Sequence, residues 1–456
     1  MTILFIFRRD LRNIDNVGLH KSIKLAKENN TDILCVFIFT PTQVTKNSYK
    51  SDAAVKFMID SLDELSNDID LSFFYGENEE VLEELFKSND ITHVVFNRDT
   101  TPYAIKRDSK INKLCKKHNI ICDYEDNWDY NLHNITDPNI YTQGGKYYSV
   151  YTPFYNKAKQ LDVNEPLKNP SFNKFIKKSN KYTITLDKAR NMFIDSNKVP
   201  DLLVSGGRKH GLKLLNSSKK TQTNYDKTRE ISSKNTTLLS AHVKFGTLSI
   251  REIYYFFKKE KFNSLIAQLY WNEFYDSLLF HLPYNRTFGK SNFKQLNIKW
   301  KYNSSHFNAW KNGKTGFPYI DAGMRQLLAE GYMHNRARMA VANFLAFILH
   351  IDWRKGEKHF ARHLVDYDPA QNNGNWQWSA GVGVDRTSFL RIFNPYNQSL
   401  EHDPDCVYIK KYVPELKDVS IEHIHKWDKY HKEYSYINPI VDYSAERKVG
   451  ASMYRP

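Results

Sequence analysis

Residues 366–378 concentrate side chains that could hold flat, hydrogen-bonding rings. The segment reads DYDPAQNNGNWQW, with two carboxylates, five amides and two indoles one residue apart. It lacks the apolar run that an ordinary core helix needs. Aromatic planes flanked by amides and carboxylates are typical of sites that stack on a ring and hydrogen-bond its edges. The pattern therefore predicts a site for planar heterocycles without saying which ones.

A second group of candidates falls within MHNRARMAVANFLAFILHIDW, residues 333–353. On a helix, Asn335, Arg338 and Met339 share one face, because positions three and four apart are neighbours. An amide, a cation and a thioether make a poor core face, so they could line a pocket for a planar ligand, with Arg338 compensating an anion. A helix-end Asn beside a surface Arg explains this helix alone equally well.

The segment AQLYWNEFYDSLLF, residues 267–280, sets an amide beside aromatic rings at helical spacing. Gln268 and Trp271 are three apart, and Tyr275 follows one turn later. An amide next to an aromatic plane can pair with and stack on a nucleobase. Considered by itself, the same spacing favours a core aromatic stripe.

Two further segments invite a phosphate-binding interpretation. Hydroxyls and free backbone N–H groups in TTLLS, residues 236–240, precede a stretch carrying Lys244 and could seat a phosphate, although an ordinary helix N-cap is commoner. GKTG, residues 313–316, looks like part of a Walker A loop, but Asn308 stands where the earlier glycine is needed. We therefore expect no P-loop.

Several classes of site and protein are excluded. His359 and His363 are four apart, but no HExxH motif and no cysteine or carboxylate completes a ligand set, so we expect no metal. The four cysteines form no CxxC pair, which favours a reducing compartment. The start, MTILFIFRRDLR, is unlike a signal peptide, and no window is apolar enough for a membrane span. We expect an intracellular protein, in cytoplasm or nucleus depending on the host.

The elements that must position these residues change character along the chain. Short apolar runs at 3–7, 33–39, 71–75, 93–97 and 120–124 alternate with stretches of helical period. This alternation indicates a parallel sheet covered by helices, and the absence of GxGxxG after the first run argues against a dinucleotide there. We predict a Rossmann-like α/β domain over 1–130, an irregular linker over 131–200 and an all-α domain over 201–456.

The charge balance points to a polyanionic partner. The 456-residue chain has 66 Lys+Arg against 51 Asp+Glu, a net charge of +15, and at 41% hydrophobic it can bury a large core. A strongly basic chain of this size most simply binds nucleic acid. A general Lys-rich bias in the coding sequence is the alternative.

Taken together and in this order, these segments resemble the photolyase/cryptochrome family of flavoproteins. The resemblance covers nearly the whole chain. Its motifs are FRRDLRNIDN (7–16), YTPF (151–154), TTLLS to KFGTLS (236–249), WNEFY (271–275), KTGFPYIDAGMRQL (314–327), MHNRARM (333–339), IDWRKGE (351–357), NNGNWQW (372–378) and RIFNP (391–395).

The resemblance implies an N-terminal α/β antenna domain and a C-terminal helical domain that holds FAD. Excited, reduced FAD would donate an electron to a flipped-out cyclobutane pyrimidine dimer, split it and take the electron back. Asn372 would also sit at the flavin N5, and Trp376, Trp353 and Trp300 would carry electrons from the surface to the flavin. The implied FAD-binding residues are Tyr225, Thr236, Thr237, Leu238, Leu239, Ser240, Gln268, Arg338, Asp366, Tyr367, Asp368 and Asn372.

The implied partner is UV-damaged DNA, bound by a monomer. Trp271, Asn335, Met339 and Trp378 match the pocket for the dimer. The remaining DNA or lesion residues that the resemblance implies are Arg229, Gln268, Asn272, Tyr275, Arg336 and Arg391.

The chain departs from the cyclobutane-dimer pattern in places, which keeps alternatives open. Gln268 replaces the usual Glu and TTLLS resembles the animal type, as in (6-4) photolyases, while Asn272 replaces an Arg that would contact phosphate. Against (6-4) repair, Asn335 and Met339 stand where two histidines are expected, and neither can replace a protonating imidazole. A signalling cryptochrome is a further hypothesis, less favoured because the chain ends soon after the last expected helix.

The resemblance also leaves room for a second chromophore. The family's N-terminal domain binds a folate or a deazaflavin in some members, and FNRDTTPYA, residues 96–104, lies where that ligand often sits. Because the family reuses this pocket for different molecules or leaves it empty, both the presence and the identity of an antenna chromophore stay open.

Overall fold

The computed structural model describes residues 1–168, 171–282, 298–384 and 390–454. Contacts divide the chain into two compact units. The first unit contains residues 1–198, 204–220 and 238–281, and the second contains residues 199–203, 221–237 and 282–456.

A parallel sheet forms the centre of the first unit. Its described strands are β1 (Thr2–Phe7), β2 (Asp32–Phe39), β3 (Ser72–Tyr75), β4 (Ile91–Val95), β5 (Ile121–Asp123) and β6 (Phe175–Ile176). The order is β3-β2-β1-β4-β5, with β6 also pairing with β2, and each pairing is parallel. All but the first residue of β1 and of β2 is buried, as expected for strands covered on both faces. The predicted strands and sheet type are confirmed.

Helices surround this sheet. The described helices of the first unit are α1 (Val17–Glu28), α2 (Pro41–Val44), α3 (Asp52–Leu65), α4 (Asn78–Ser88), α5 (Pro102–Lys117), α6 (Tyr151–Ala158), α7 (Leu186–Phe193), α8 (Arg208–Thr221), which ends one residue into the second unit, α10 (Ser240–Lys244), α11 (Ile250–Lys259) and α12 (Asn263–His281), with 3-10 turns at Pro138–Ile140 and Ser196–Lys198.

Residues 131–200 are more regular than their composition predicts. They contain α6, α7 and β6. The two residues of β6 continue the edge of β2 where β3 does not reach, pairing with Ile33 and Leu34. In α6, Phe154 is buried and packs against Phe274 of α12, with ring centroids 5.5 Å apart. Tertiary partners thus impose order on a segment with weak local signals.

The second unit is helical. Its described helices are α9 (Tyr225–Thr228), α13 (Ser304–Lys311), α14 (Pro318–Glu330), α15 (Asn335–Phe347), α16 (Trp353–His363), α17 (Pro369–Ser379), α18 (Pro395–His402), α19 (Val407–Tyr412), α20 (Ile421–His425), α21 (Trp427–Tyr430) and α22 (Tyr443–Met453), with 3-10 turns at Pro414–Leu416 and His431–Glu433. The fold class is confirmed: an α/β region with a parallel sheet and a helical C-terminal region.

The compact units do not follow the predicted boundaries at residues 130 and 200, because α10, α11 and α12 cluster with the sheet. Buried charges tie them there. Arg251 of α11 bonds Asp15 and Asp129 at 2.9 and 3.0 Å, while Arg12 donates to the Gly246 carbonyl at 3.0 Å. The predicted domain boundaries stay a prediction.

The segment that resembles a Walker A loop has a structural role. The backbone N–H groups of Thr315 and Gly316 donate to the Asp321 carboxylate at 2.7 and 2.9 Å, and Tyr436 donates to it at 2.6 Å. These amides are therefore occupied by a buried side chain near the start of α14 and are not presented to a phosphate.

Candidate functional site

Helix α15 begins with the predicted lesion-binding residues. Asn335 is exposed, and its Nδ2 lies 3.6 Å from the Sδ of Met339, one turn along the same face. Arg336 also reaches this sulfur, at 3.8 Å. The structure therefore brings the amide and the thioether together, as the helical spacing predicts, but the cation at the sulfur is Arg336 and not the predicted Arg338.

The histidine beside them serves as the N-cap of α15. His334 is 3% exposed, and its Nδ1 accepts a hydrogen bond from the Arg336 backbone N–H at 3.2 Å. Burial, together with nearby His402 and Arg338, lowers the pKa of His334 to about 4. This imidazole is neutral at physiological pH and is not available as a proton donor to a ligand.

Arg338 and Asp366 form a charge pair. Nη2 of Arg338 donates to the two Asp366 oxygens at 2.9 and 3.3 Å, and its Nε donates to the Met333 carbonyl at 2.7 Å. Although burial opposes it, Asp366 raises the pKa of Arg338. The guanidinium also lies 5.2 Å from the Tyr332 ring, whose hydroxyl interacts with Thr236. The pair thus links the start of α15, the segment before α17 and the TTLLS segment.

The predicted ring-binding segment forms α17. Asp368 is its N-cap and accepts from the backbone N–H groups of Ala370 and Gln371 at 2.9 and 3.2 Å. Asn372 donates through Nδ2 to the backbone carbonyl and the carboxylate of Glu357 at 3.1 and 3.0 Å. Among the described residues its Oδ1 has no hydrogen-bond partner, so this oxygen remains available to a ligand donor. Tyr367 is partly buried beside Asp368.

The three predicted electron-transfer tryptophans lie in or against one apolar cluster. Trp376 and Trp353 are each 2% exposed, and Trp300 is partly buried at the edge of the cluster. Trp376 makes an edge contact with Trp310, whose ring centroid is 6.2 Å away, and Trp300 makes one with Tyr454, also at 6.2 Å. Burial of Trp376 and Trp353 is compatible with electron transfer, which stays a prediction.

The other predicted residues of the second unit differ in exposure. Trp378 is half-buried near the end of α17, and Arg391 is exposed. Arg336 and Arg229 both form ion pairs with Glu230. The Nε of Arg229 lies 3.2 Å from a Glu230 carboxylate oxygen. The Arg229 guanidinium lies 6.0 Å from the ring of Tyr225. A DNA phosphate at either arginine would therefore compete with Glu230.

The TTLLS segment contains a strained residue. Leu238 has φ of 56°, in the left-handed region that residues with a branched side chain seldom adopt. Thr236 and Thr237 are half-buried, Leu239 is buried and Ser240, the first residue of α10, is exposed. The conformation sharply redirects the chain before α10.

Helix α12 of the first unit presents the predicted stacking residue. Trp271 and Asn272 are half-buried, and Gln268 is exposed with its Nε2 bonded to the Ser264 carbonyl at 3.3 Å. Tyr275 is only 6% exposed, and its ring centroid is 5.8 Å from that of Trp271. Gln268 and Trp271 are thus accessible, whereas Tyr275 is set to support the indole.

Tyr151 of α6 stacks on Trp271, which the sequence analysis did not predict. The ring centroids are 3.5 Å apart and the planes differ by 7°. The Tyr151 hydroxyl donates to the Ala267 carbonyl of α12 at 2.7 Å, and burial raises the pKa of Tyr151. One face of the indole is therefore covered and its orientation is fixed from a separate helix.

Two acids were also missed, Glu230 and Glu357. Glu230 lies in no quoted motif and Glu357 ends the motif IDWRKGE, but nothing in the sequence indicates Arg336 or Asn372 as their partners. Tyr151 did lie in a quoted motif, YTPF, yet nothing in that motif indicates Trp271 as its partner. Only the tertiary structure reveals these contacts.

Comparisons with known proteins identify the family of this chain. Residues 3–171 match the model described as DNA photolyase, and residues 265–455 match the FAD binding domain of DNA photolyase. A deoxyribodipyrimidine photo-lyase of Buchnera aphidicola subsp. Baizongia pistaciae is 36% identical over 98% of this chain and 96% of its own length. The chain belongs to the photolyase/cryptochrome family.

Other members of the photolyase/cryptochrome family share most of its length. The deoxyribodipyrimidine photo-lyase of Halobacterium salinarum is 33% identical over 99% of this chain and 98% of its own. An archaeal photolyase from Sulfolobus tokodaii, crystallised with two FAD molecules, has a TM-score of 0.87 and 38% identity, covering 100% of this chain and 99% of that chain. A bacterial class III photolyase from Agrobacterium tumefaciens has a TM-score of 0.87 and 29% identity, covering 99% of this chain and 97% of that chain.

The second unit fits the FAD that its domain family binds. It offers a partly buried cation in Arg338, carboxylates at Asp366 and Asp368, and the Asn372 oxygen that no described residue bonds. These are hydrogen-bonding groups suited to the polar edges of a flavin nucleotide. No group of three His, Cys, Asp or Glu side chains within the described ranges could hold a metal ion. Of the helices described, none is both long and apolar enough to cross a membrane.

We predict that Tyr151→Ala weakens binding of dimer-containing DNA more than binding of undamaged DNA. Loss of one stacked aromatic pair should cost about 0.5–1.5 kcal/mol, up to roughly tenfold in Kd, because the indole loses its fixed orientation. Fluorescence anisotropy with matched oligonucleotides measures both constants.

Tyr151→Phe is the matched control, since it keeps the stacked ring and removes only the bond to Ala267. It should retain most of the lesion preference. An equal loss for both DNAs in Tyr151→Ala would show that Tyr151 does not act through lesion recognition at Trp271.

Proposed function

We propose that this protein repairs cyclobutane pyrimidine dimers in DNA with light. The chemistry that bound, reduced FAD supplies is reversible donation of one electron after light absorption. The partner is UV-damaged DNA, and we expect the protein to act as a monomer wherever the host keeps its DNA. Support comes from the family match, the curated relatives' names and the net charge of +15.

The protein's own residues bind and orient the reactants. Arg338, Asp366, Asp368 and Asn372 would hold the flavin, and their protein partners, through an ion pair, a helix cap and an amide bond to Glu357, keep them in place. Trp271, braced by Tyr151, supplies a flat apolar wall for the flipped lesion. Flipping costs about a few kcal/mol and is easiest for a damaged, poorly stacked base. Photolyases are one of the known classes of base-flipping enzymes.

The observation that carries the choice of lesion is the environment of His334. Repair of a (6-4) lesion is expected to need protonating histidines on this helix, but Asn335 and Met339 occupy the accessible face. The remaining histidine of MHNRARM, His334, is buried as an N-cap with its pKa lowered to about 4. This face therefore offers hydrogen bonding and an apolar surface and no acid, which suits a dimer split by electron transfer alone.

One observation favours (6-4) repair as the second candidate. Gln268 is exposed on the same helix as Trp271, and an amide at this position is typical of (6-4) photolyases. An amide can nevertheless bond a thymine edge in either lesion. A signalling cryptochrome remains a further hypothesis, and no feature of the described residues favours it over repair.

Repair of both lesions by the reduced protein provides the direct test. Oligonucleotides carrying a cyclobutane dimer or a (6-4) lesion are irradiated with the protein, and restored pyrimidines are quantified by chromatography. We expect light-dependent repair of the dimer and none of the (6-4) lesion, because no acid is available. Repair of neither lesion would reject the enzyme hypothesis, and repair of the (6-4) lesion alone would favour the second candidate.

We further propose that Trp376, Trp353 and Trp300 conduct electrons to the flavin. Trp376→Phe should abolish most light-driven reduction of oxidised FAD, because phenylalanine is far harder to oxidise, while pre-reduced protein should still repair dimers. Absorbance changes under illumination measure the first property. Phe360→Leu, which alters a ring 5.0 Å from Trp376 without removing the indole, is the packing control; unchanged photoreduction in Trp376→Phe would reject this assignment.

We also propose an antenna chromophore with an anionic group at the carboxyl edge of the sheet. The strand order reverses between β1 and β4, and ligands of open α/β sheets bind at such switch points. Arg8 and Arg107 share the Asp108 carboxylate there, at 2.5 and 2.9 Å. Burial and neighbouring Arg107 lower the pKa of Arg8. Nη2 of each arginine is buried with no hydrogen-bond partner among the described residues, so each guanidinium keeps a donor group for an anionic ligand, although Asp99 also acts on Arg107.

Loading of this second site can be measured directly. Protein purified after supply of folate, deazaflavin or flavin nucleotides should release a second chromophore in addition to FAD, seen in its absorption spectrum and identified after denaturation. Arg107→Gln should lower the second chromophore per FAD, whereas exposed Lys113→Gln on the same helix should not. Equal loading of the two variants would contradict the role of Arg107.

A further inference from the structure

A basic cleft lies in the second unit beside the C-terminal helix. Its volume is about 620 Å³, and it opens between residues 390–393 and α22. Arg391, Arg447 and Lys448 line it, and none of its lining residues is acidic. Arg447 and Lys448 are absent from every site predicted from the sequence or from the resemblance.

The first wall of the cleft is held by a buried amide of α15. Asn343 donates through Nδ2 to the backbone carbonyls of Ser379 and Arg391 at 3.0 and 2.9 Å. Its Oδ1 accepts from the Phe393 backbone N–H at 2.8 Å. One side chain therefore fixes the backbone on both sides of Ile392 relative to α15.

The second wall, α22, is fixed to the same helix. A Cβ on Gly450 would lie 2.0 Å from the Phe347 carbonyl oxygen, so only glycine allows this close approach. Tyr454 stacks on Phe347 with ring centroids 4.7 Å apart and donates to the Ala380 carbonyl at 2.6 Å. Glu446 bonds His350 at 2.6 Å. Both walls are thus rigid with respect to the helix that carries Asn335 and Met339.

The cations of α22 are uncompensated. Arg447 and Lys448 are exposed, and neither forms an ion pair with any residue that the structure describes. Arg229 and Arg336, in contrast, share Glu230. A cleft with a guanidinium and an ammonium that pair with no carboxylate of the described residues attracts an anion with little reorganisation.

We propose that this cleft binds the phosphodiester backbone of DNA and extends the contact beyond the lesion. The planar guanidinium of Arg447 matches two phosphate oxygens, Lys448 supplies a point charge, and the Ser452 hydroxyl can donate a further bond. Ile392 and Ala451 add an apolar surface for a deoxyribose. Arg391 lies on the opposite wall, so the cleft is continuous with a residue expected to contact the backbone. The inference rests on DNA being the partner.

The test compares two double variants that each remove two positive charges. The cleft variant is Arg447→Gln with Lys448→Gln, and the control is Lys417→Gln with Lys429→Gln, exposed lysines of the second unit that do not line the cleft. The binding constant for undamaged and dimer-containing duplexes is measured over a salt series. Each lost phosphate contact should reduce the slope of log K against log salt by about one.

The cleft variant should lower this slope by about one to two units, equally for both duplexes, while the control leaves it nearly unchanged. Repair yield at saturating DNA should match the wild type. Thermal unfolding of both variants checks that the fold is intact. A slope equal to that of the wild type or of the control would overturn the proposal.

Two further outcomes separate the possible causes. In the first outcome, inorganic phosphate at fixed ionic strength raises the unfolding temperature of the wild type more than that of the cleft variant, while both have the same slope of log K against log salt. The cleft then holds a free anion and the proposal fails. If the slope falls but the wild type repairs no lesion, the cleft is a DNA site and the proposed repair function is the one that fails.

Discussion

Close packing around α15 is the constraint on which the second unit depends. Three neighbouring helices each place a glycine against it: Gly323 of α14, Gly356 of α16 and Gly450 of α22. A Cβ would lie 3.0 Å from Val341 at the first, 2.5 Å from Leu345 at the second and 2.0 Å from the Phe347 carbonyl at the third. Every residue from Ala340 to Phe347 is consequently buried, and only the first turns of α15 reach the surface.

The packing of α15 also positions the candidate site residues. The exposed turns carry Asn335 and Met339, Arg338 leaves the helix to pair with Asp366, and buried Asn343 fixes the end of α17. In the first unit, buried charges have the equivalent role. Arg251 joins α11 to the loops after β1 and β5 through Asp15 and Asp129. Because a buried charge without its partner is costly, such pairs tolerate little displacement.

The sequence predicts the elements well and their contacts poorly. The strands and the long helices follow from hydrophobic period, and Asn335 with Met339 from helical spacing, because both are local properties. The Tyr151–Trp271 stack, the Glu230 and Glu357 contacts and the order within 131–200 depend on residues far apart along the chain. His334 illustrates the difference: its motif places it beside the site, but only its burial and capping bond remove it as an acid.

The net charge of the sequence also gives no information on tertiary contacts. It does not show which cations are already paired and which are available to a ligand. Arg229 and Arg336 share Glu230, and Arg338 is held by Asp366, so phosphate binding at these positions first requires the exchange of an existing partner. Arg447 and Lys448 contribute to the same total of +15 without such a competitor among the described residues. Because exchange of a partner offsets most of the gain from a new ion pair, local pairing determines which part of a basic surface binds an anion strongly. If DNA binds as proposed, the motif arginines would serve orientation and specificity, and the cations of α22 would supply non-specific, salt-sensitive attraction.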